Sequence, residues 1–236
     1  MSAMDSLRRA LTIAAALVLT GLWGGVSLAA VSVPWATQAG DASGDIGIAI
    51  STLPDGSSIV TGYFAGTATF GSTTLASAGN EDVFVAKIDA SGNYLWAKQA
   101  GGISMDYGSA ISTLSDGSAI VTGAFVGTAT FGSTTLASAG NEDVFVAKID
   151  ASGNYLWAKQ AGGTSTDIGW GISTLSDGSA IVTGEFSGTA TFGSTTLASA
   201  GTNDVFVAMI RAPRNSTLSP HATHFRSDYG NAISTL

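Results

Sequence analysis

One block of this chain is repeated letter for letter. The run from Gly66 to Gly102, GTATFGSTTLASAGNEDVFVAKIDASGNYLWAKQAGG, returns unchanged from Gly127 to Gly163, an offset of 127 − 66 = 61 residues. Trp35, Trp96 and Trp157 keep the same step. A third copy opens at Gly188 with GTATFGSTTLASAG and runs through Asp204-Val-Phe-Val-Ala208 before it diverges. A fixed period of this length makes a tandem array, in which each unit completes its core against its neighbours. The units fall at approximately 41–101, 102–162 and 163–223, with a partial one at 224–236.

Each unit reads as four strands. Ala110–Leu114 runs into Ser115-Asp116-Gly117-Ser118, and Asp-Gly marks a tight hairpin because Gly accepts positive φ. Ala119–Phe125 is the second strand, Val144–Ile149 the third and Tyr155–Lys159 the fourth, with Asp150-Ala-Ser-Gly-Asn154 as the turn between the last two. Between the second and third lies a longer connection, Gly127 to Asn141, in which Thr128–Phe131 and Thr134–Leu136 form a small extra ribbon around Gly132-Ser133. In the third strand Val144 and Val146 point one way while Phe145, Ala147 and Ile149 point the other, so both faces require cover. Identical sheets stacked face to face around an axis supply that cover. The small, Gly-rich first strands (GIGIAISTL, YGSAISTL, IGWGISTL) then belong innermost, and the fourth strands at the outer rim.

The expected fold is all-β: an incomplete β-propeller-like array of four-stranded antiparallel blades, three units plus partial blades at both ends, preceded by an N-terminal signal helix. A β-solenoid is the competing architecture, with coils that are usually shorter than this period.

The runs DVFVAKIDASGNYLWAKQAGG, DYGSAISTLSDGSAIVTGAF and GTATFGSTTLASAG resemble the bacterial seven-bladed β-propeller (SBBP) repeat family. Its units follow a D-x-F-V-A-K-x-D-x-x-G-N-x-x-W pattern and then an x-V-T-G-x-F strand. The likeness covers nearly all of 31–236 and implies a secreted or surface-exposed propeller scaffold. It carries no catalytic set that could be transferred.

The N-terminus has its own pattern. Arg8 and Arg9 precede the apolar run ALTIAAALVLTGLW, and Ser27-Leu28-Ala29-Ala30 offers the small residues of a signal-peptidase site, so 1–30 reads as a secretory signal peptide. An uncleaved anchor is the rival, since Ala10 to Ala30 is long enough to span a bilayer. Beyond that segment no membrane contact is expected, and the protein is placed outside the cell, in the periplasm or at the cell surface. The chain has no cysteine, so packing alone must hold it there. A formal charge of −8 with no basic patch argues against nucleic acid as a partner.

The third unit departs from the pattern. From Met209 to Ser227 it reads MIRAPRNSTLSPHATHFRS where its neighbour has KIDASGNYLWAKQAGGTST, and Pro213 and Pro220 would break a ladder strand there. His221 and His224 lie in this stretch without a third ligand beside them, so no metal is assigned. Asp89 and Asp150 open DASGN turns that lack the later acidic residues of a calcium loop. Asp45, Asp106 and Asp167, in Ser-x-Asp-x-Gly, read as carboxylates that lock turns by accepting backbone N–H bonds.

No nucleophile stands beside a base, and almost every acidic residue recurs from unit to unit, whereas an active site is normally assembled once. The chain is therefore read as non-enzymatic and without a cofactor. Differences between units gather at 103, 105, 107 and 109 against 164, 166, 168 and 170, at Tyr63, Ala124 and Glu185, and at Glu81, Glu142 and Asn203. In a four-strand meander these positions share one rim. Tyr63, Met105, Tyr107, Trp170 and Glu185 are accordingly the candidate ligand face for a glycan or protein. The competing readings are drift after recent duplication, a truncated propeller without independent function, and a secreted glycan-active enzyme. Self-association through open blade edges is a further expectation.

Overall fold

The computed structural model describes residues 32–211. The segment 1–30, expected to be a signal peptide, the prolines and histidines of the divergent third unit and the expected partial unit at 224–236 lie outside the described residues.

Among the described residues there are thirteen strands and no helix. The first unit is a meander of β1 (Asp45–Thr52), β2 (Ser58–Phe70), β3 (Thr73–Ile88) and β4 (Tyr94–Gly102), each antiparallel to the one before. The second repeats it with β5 (Asp106–Thr113), β6 (Ala119–Phe131), β7 (Thr134–Ile149) and β8 (Tyr155–Gly163). The third comprises β9 (Asp167–Thr174), β10 (Ala180–Phe186), β11 (Thr189–Phe192), β12 (Thr195–Ala198) and β13 (Asp204–Ile210). Here β9, β10 and β13 form a three-stranded sheet with β13 at its edge. The antiparallel sheets do not close on themselves.

The strands are longer than their apolar cores suggest. In the first two units the ribbon is not a separate element: β6 and β7 run on past a bulge between Val126 and Thr128 to a two-residue turn, with Phe131 paired to Thr134. Gly132 in that turn has φ +61, a conformation that selects glycine at the first position of such a hairpin. Only in the third unit does the ribbon stand apart, as β11 and β12.

The ribbon also joins one unit to the next. The end of β4 pairs with the ribbon of the second unit, Gly101 with Thr130 and Gly102 with Ala129, and the end of β8 does the same with Thr191 and Ala190. A Cβ on Gly102 would lie 1.8 Å from the Thr128 carbonyl oxygen, so this approach is open only to glycine.

The core lies between consecutive units. Phe125, Phe131, Phe145, Ala147 and Ile149 of the second unit pack with Leu53, Ile59, Val83 and Val85 of the first, and Ile111 of β5 joins them. The opposite face of the same sheet, through Ile120, Val144 and Val146, packs with Val182, Phe186 and Phe206 of the third. Val144 is 1% exposed and Phe145 fully buried, so both faces of β7 are dry. Burying one such side chain is worth about 2 kcal/mol, and the gain recurs at each junction.

The first strands also touch in sequence. Ser51 Oγ and Thr113 Oγ1 are 2.9 Å apart, as are Ser112 Oγ and Thr174 Oγ1. From the fourth strand, Trp96 Nε1 donates to the Ala151 carbonyl of the next unit at 3.1 Å. The expected turn chemistry is present: Asp150 Oδ1 accepts the Ser152 and Asn154 N–H groups at 2.9 and 2.8 Å.

Candidate functional site

Four of the five expected residues meet in one concavity. Ile48, Tyr63, Glu81, Met105, Tyr107, Glu142 and Trp170 line a pocket of about 470 Å³ that draws on all three units. Tyr63 stands on β2 between Ile46 of β1 and Val83 of β3, and Tyr107 stands on β5 opposite Ala124. Met105 precedes β5. Trp170 occupies a bulge, where Gly169 pairs with Gly184 and Gly171 with Thr183, leaving the residue between them unpaired. A bulge re-aims the side chain it carries, and Trp170 is half exposed. The same bulge in the first unit presents Ile48.

Tyr107 organises the middle of the pocket. Its hydroxyl donates to Glu142 Oε1 at 3.1 Å, and its ring lies 6.4 Å from that of Trp170 at an interplanar angle of 33°. Burial, then the neighbouring charge of Glu142, raises the phenol well above its ordinary value, so it stays a proton donor. Glu81 and Glu142 are half-buried, and no cation is among the lining residues. The surface therefore offers aromatic faces and carboxylate acceptors, a set that suits hydroxyl-rich neutral ligands and disfavours anions.

Four of the five residues expected from the sequence, Tyr63, Met105, Tyr107 and Trp170, line this pocket. Glu185 does not: it stands on β10 and accepts a bond from Asn203 Nδ2 at 3.1 Å. Ile48, Glu81 and Glu142 complete the lining without having been expected. Glu81 and Glu142 belong to a column that differs between units, which was the available signal.

A second set of acids is buried. Asp82 and Asp106 converge on Gly101, where a Cβ would lie 2.8 Å from Asp82 Oδ1 and 2.9 Å from Asp106 Oδ2, and Asp143 and Asp167 repeat this at Gly162. Asp106 accepts the Gly102 and Val126 N–H groups at 2.7 and 3.2 Å. Asp143 Oδ2 accepts Ala139 N–H at 2.9 Å, while its Oδ1 has no partner. Burial pushes Asp106 and Asp143 up to about 6, against the pull of these N–H bonds. These carboxylates lie at the junction between units and do not line the pocket. Among the described residues no three His, Cys, Asp or Glu side chains converge as a metal site.

The chain matches no protein-family model and no curated protein.

Proposed function

We propose that this chain is an exported, non-enzymatic β-propeller-type scaffold, similar in its repeats to the SBBP family, that binds neutral glycan through the rim pocket. The radial arrangement is supported by the contacts that first strands make along the array, Ser51 to Thr113 and Ser112 to Thr174, and by cores shared between successive sheets. The observation that carries the binding reading is the convergence of Tyr63, Met105, Tyr107 and Trp170 with Glu81 and Glu142 in one pocket. Aromatic planes stack on the apolar faces of sugar rings, and the carboxylates accept their hydroxyls.

The test is titration of neutral oligosaccharides against the wild type and Trp170→Ala, a half-exposed position whose loss leaves the core intact. A bound sugar should lose at least tenfold in affinity in the variant. Equal affinity in both proteins, or no binding across a broad neutral panel, refutes the reading. A shortened propeller without independent function is the second reading, favoured by the exposure of Val205, Val207 and Met209 on the outer face of β13.

A further inference from the structure

The two ends of the described array present the separated halves of a junction that the chain makes twice within itself. On the trailing side, Leu175, Val205 and Val207 are 40%, 75% and 68% exposed, whereas the same repeat positions in the first unit, Leu53, Val83 and Val85, are 6%, 0% and 0% exposed. On the leading side Ile50 is 60% exposed, while its counterpart Ile111 is 7% exposed, within the cluster that includes Leu53, Val83 and Val85.

The hydrogen-bonding edges are separated in the same way. Among the described residues β13 is an edge strand, and beside it lies a groove of about 490 Å³ whose walls include Ala161, Phe192, Leu197 and Phe206. In the first two units that position beside the third strand is filled by β4 and β8. At the other end Trp35-Ala-Thr-Gln-Ala39 carries the sequence of a fourth strand, Trp96-Ala-Lys-Gln-Ala100, and is seated like one. Trp35 Nε1 donates to the Ala90 carbonyl at 3.1 Å, as Trp96 does to Ala151, and Gly40 pairs with Thr69 of the ribbon, as Gly101 does with Thr130. Yet Trp35–Ala39 is in no strand ladder and Ala36, Thr37 and Gln38 are exposed.

We propose that copies of this chain associate head to tail, Trp35–Ala39 of one copy adding to β13 of another as its fourth strand. The internal ladders give the register: Val83 pairs with Ala100 and Lys87 with Trp96, so Val205 takes Ala39, Phe206 takes Gln38, Val207 takes Thr37, Ala208 takes Ala36 and Met209 takes Trp35 of the second copy. Ile50 of that copy then covers Leu175, Val205 and Val207. The chain's own residues at the fourth-strand position, Leu218-Ser-Pro-His-Ala222, keep only the last letter of Trp157-Ala-Lys-Gln-Ala161, whereas Trp35–Ala39 differs from it only at Thr37, which favours the second copy as occupant. Such a contact joins two different surfaces, so it builds a ring where the rotation closes and a filament where it does not.

Sedimentation over a wide concentration range tests the idea on the whole chain. The wild type should form larger species as concentration rises. Val207→Lys and Ile50→Lys, each at a side chain exposed in the single chain, should both remain monomeric, and an equimolar mixture should form a dimer and nothing larger, because one intact pair of surfaces remains. Since the chain has no cysteine, register is read by mixing Ala36→Cys with Ala208→Cys, which should crosslink under oxidation, against Ala36→Cys with Val205→Cys, which should not. A monomeric wild type at every concentration, as expected if residues 212–236 of the same chain occupy the groove, overturns the proposal. So does assembly that survives both lysine variants, or crosslinking in the wrong register.

Discussion

Asp143→Asn should stabilise this protein at neutral pH and leave it unchanged in acid. Asp143 is 1% exposed, accepts one backbone N–H through Oδ2, and faces Asp167 with an Oδ1 that has no partner. Its carboxyl is moved from an ordinary 3.8 to about 6, first by burial and then, beyond the opposing Ala139 N–H bond, by the charge of Asp167. Because the folded value is the higher one, the folded state holds more protons than the unfolded chain between these two values. The associated stability is complete below 3.8 and is lost as pH rises through about 6. At about 1.4 kcal/mol per pKa unit the ionised group costs the fold roughly 3 kcal/mol at most, and screening by nearby solvent brings this to about 1–2 kcal/mol. Asparagine keeps the acceptor for Ala139, carries no charge, and can donate its amide to Asp167. Thermal melts at pH 4 and pH 8 should therefore coincide at the lower pH and differ by roughly 3–6 °C at the higher one, with the variant more stable. A variant that is equally or less stable than the wild type at pH 8 would refute the reasoning, since the cost would then not come from ionisation.

Two other outcomes follow from burial and turn chemistry. Val146→Ala should cost about 1.5–3 kcal/mol in urea titrations, while Val207→Ala, at the same repeat position but exposed, should cost under about 0.5 kcal/mol in dilute solution. Asp150→Ala should cost about 1 kcal/mol near pH 7 by removing the acceptor that closes its turn. The bonds from Asn154 hold the Asp150 carboxyl below its ordinary value, so this contribution is present above that value and is lost as pH falls through the folded one. Melts of variant and wild type should then converge in acid below the ordinary carboxylate value of 3.8.

The strand order was legible because each strand carries a local mark. β-Branched and aromatic letters at Val144–Ile149 and the Asp-Gly turn at Asp116-Gly117 need no tertiary information to be read. The run from Ala137 to Asp143 does: its Ala, Ser, Gly and Asn letters resemble a connection, and it is drawn into the strand by its two ends, where Ala137 pairs with Thr128 and Glu142 with Val126 of β6. The same limit applied to the site. Tyr107 and Trp170 stood out as differences between otherwise identical units. The unpaired residue of each bulge leaves no trace in composition, so Ile48 was missed, and with it the bulge that presents Trp170. The pairing of Asp143 with Asp167 was hidden for a related reason: each acid recurs visibly, but their meeting is set by the joint at Gly162.

That joint also bears on how the molecule yields to force. Backbone ladders cross from β4 to β6 and from β8 to β11 through Gly101-Gly102 and Gly162-Gly163, so neighbouring units are held by amide bonds as well as by their greasy sides. Pulling on one unit would tug the next through these glycine clasps. Melting should then spread along the chain in coupled steps, and every additional copy would bring one more clasp to the whole.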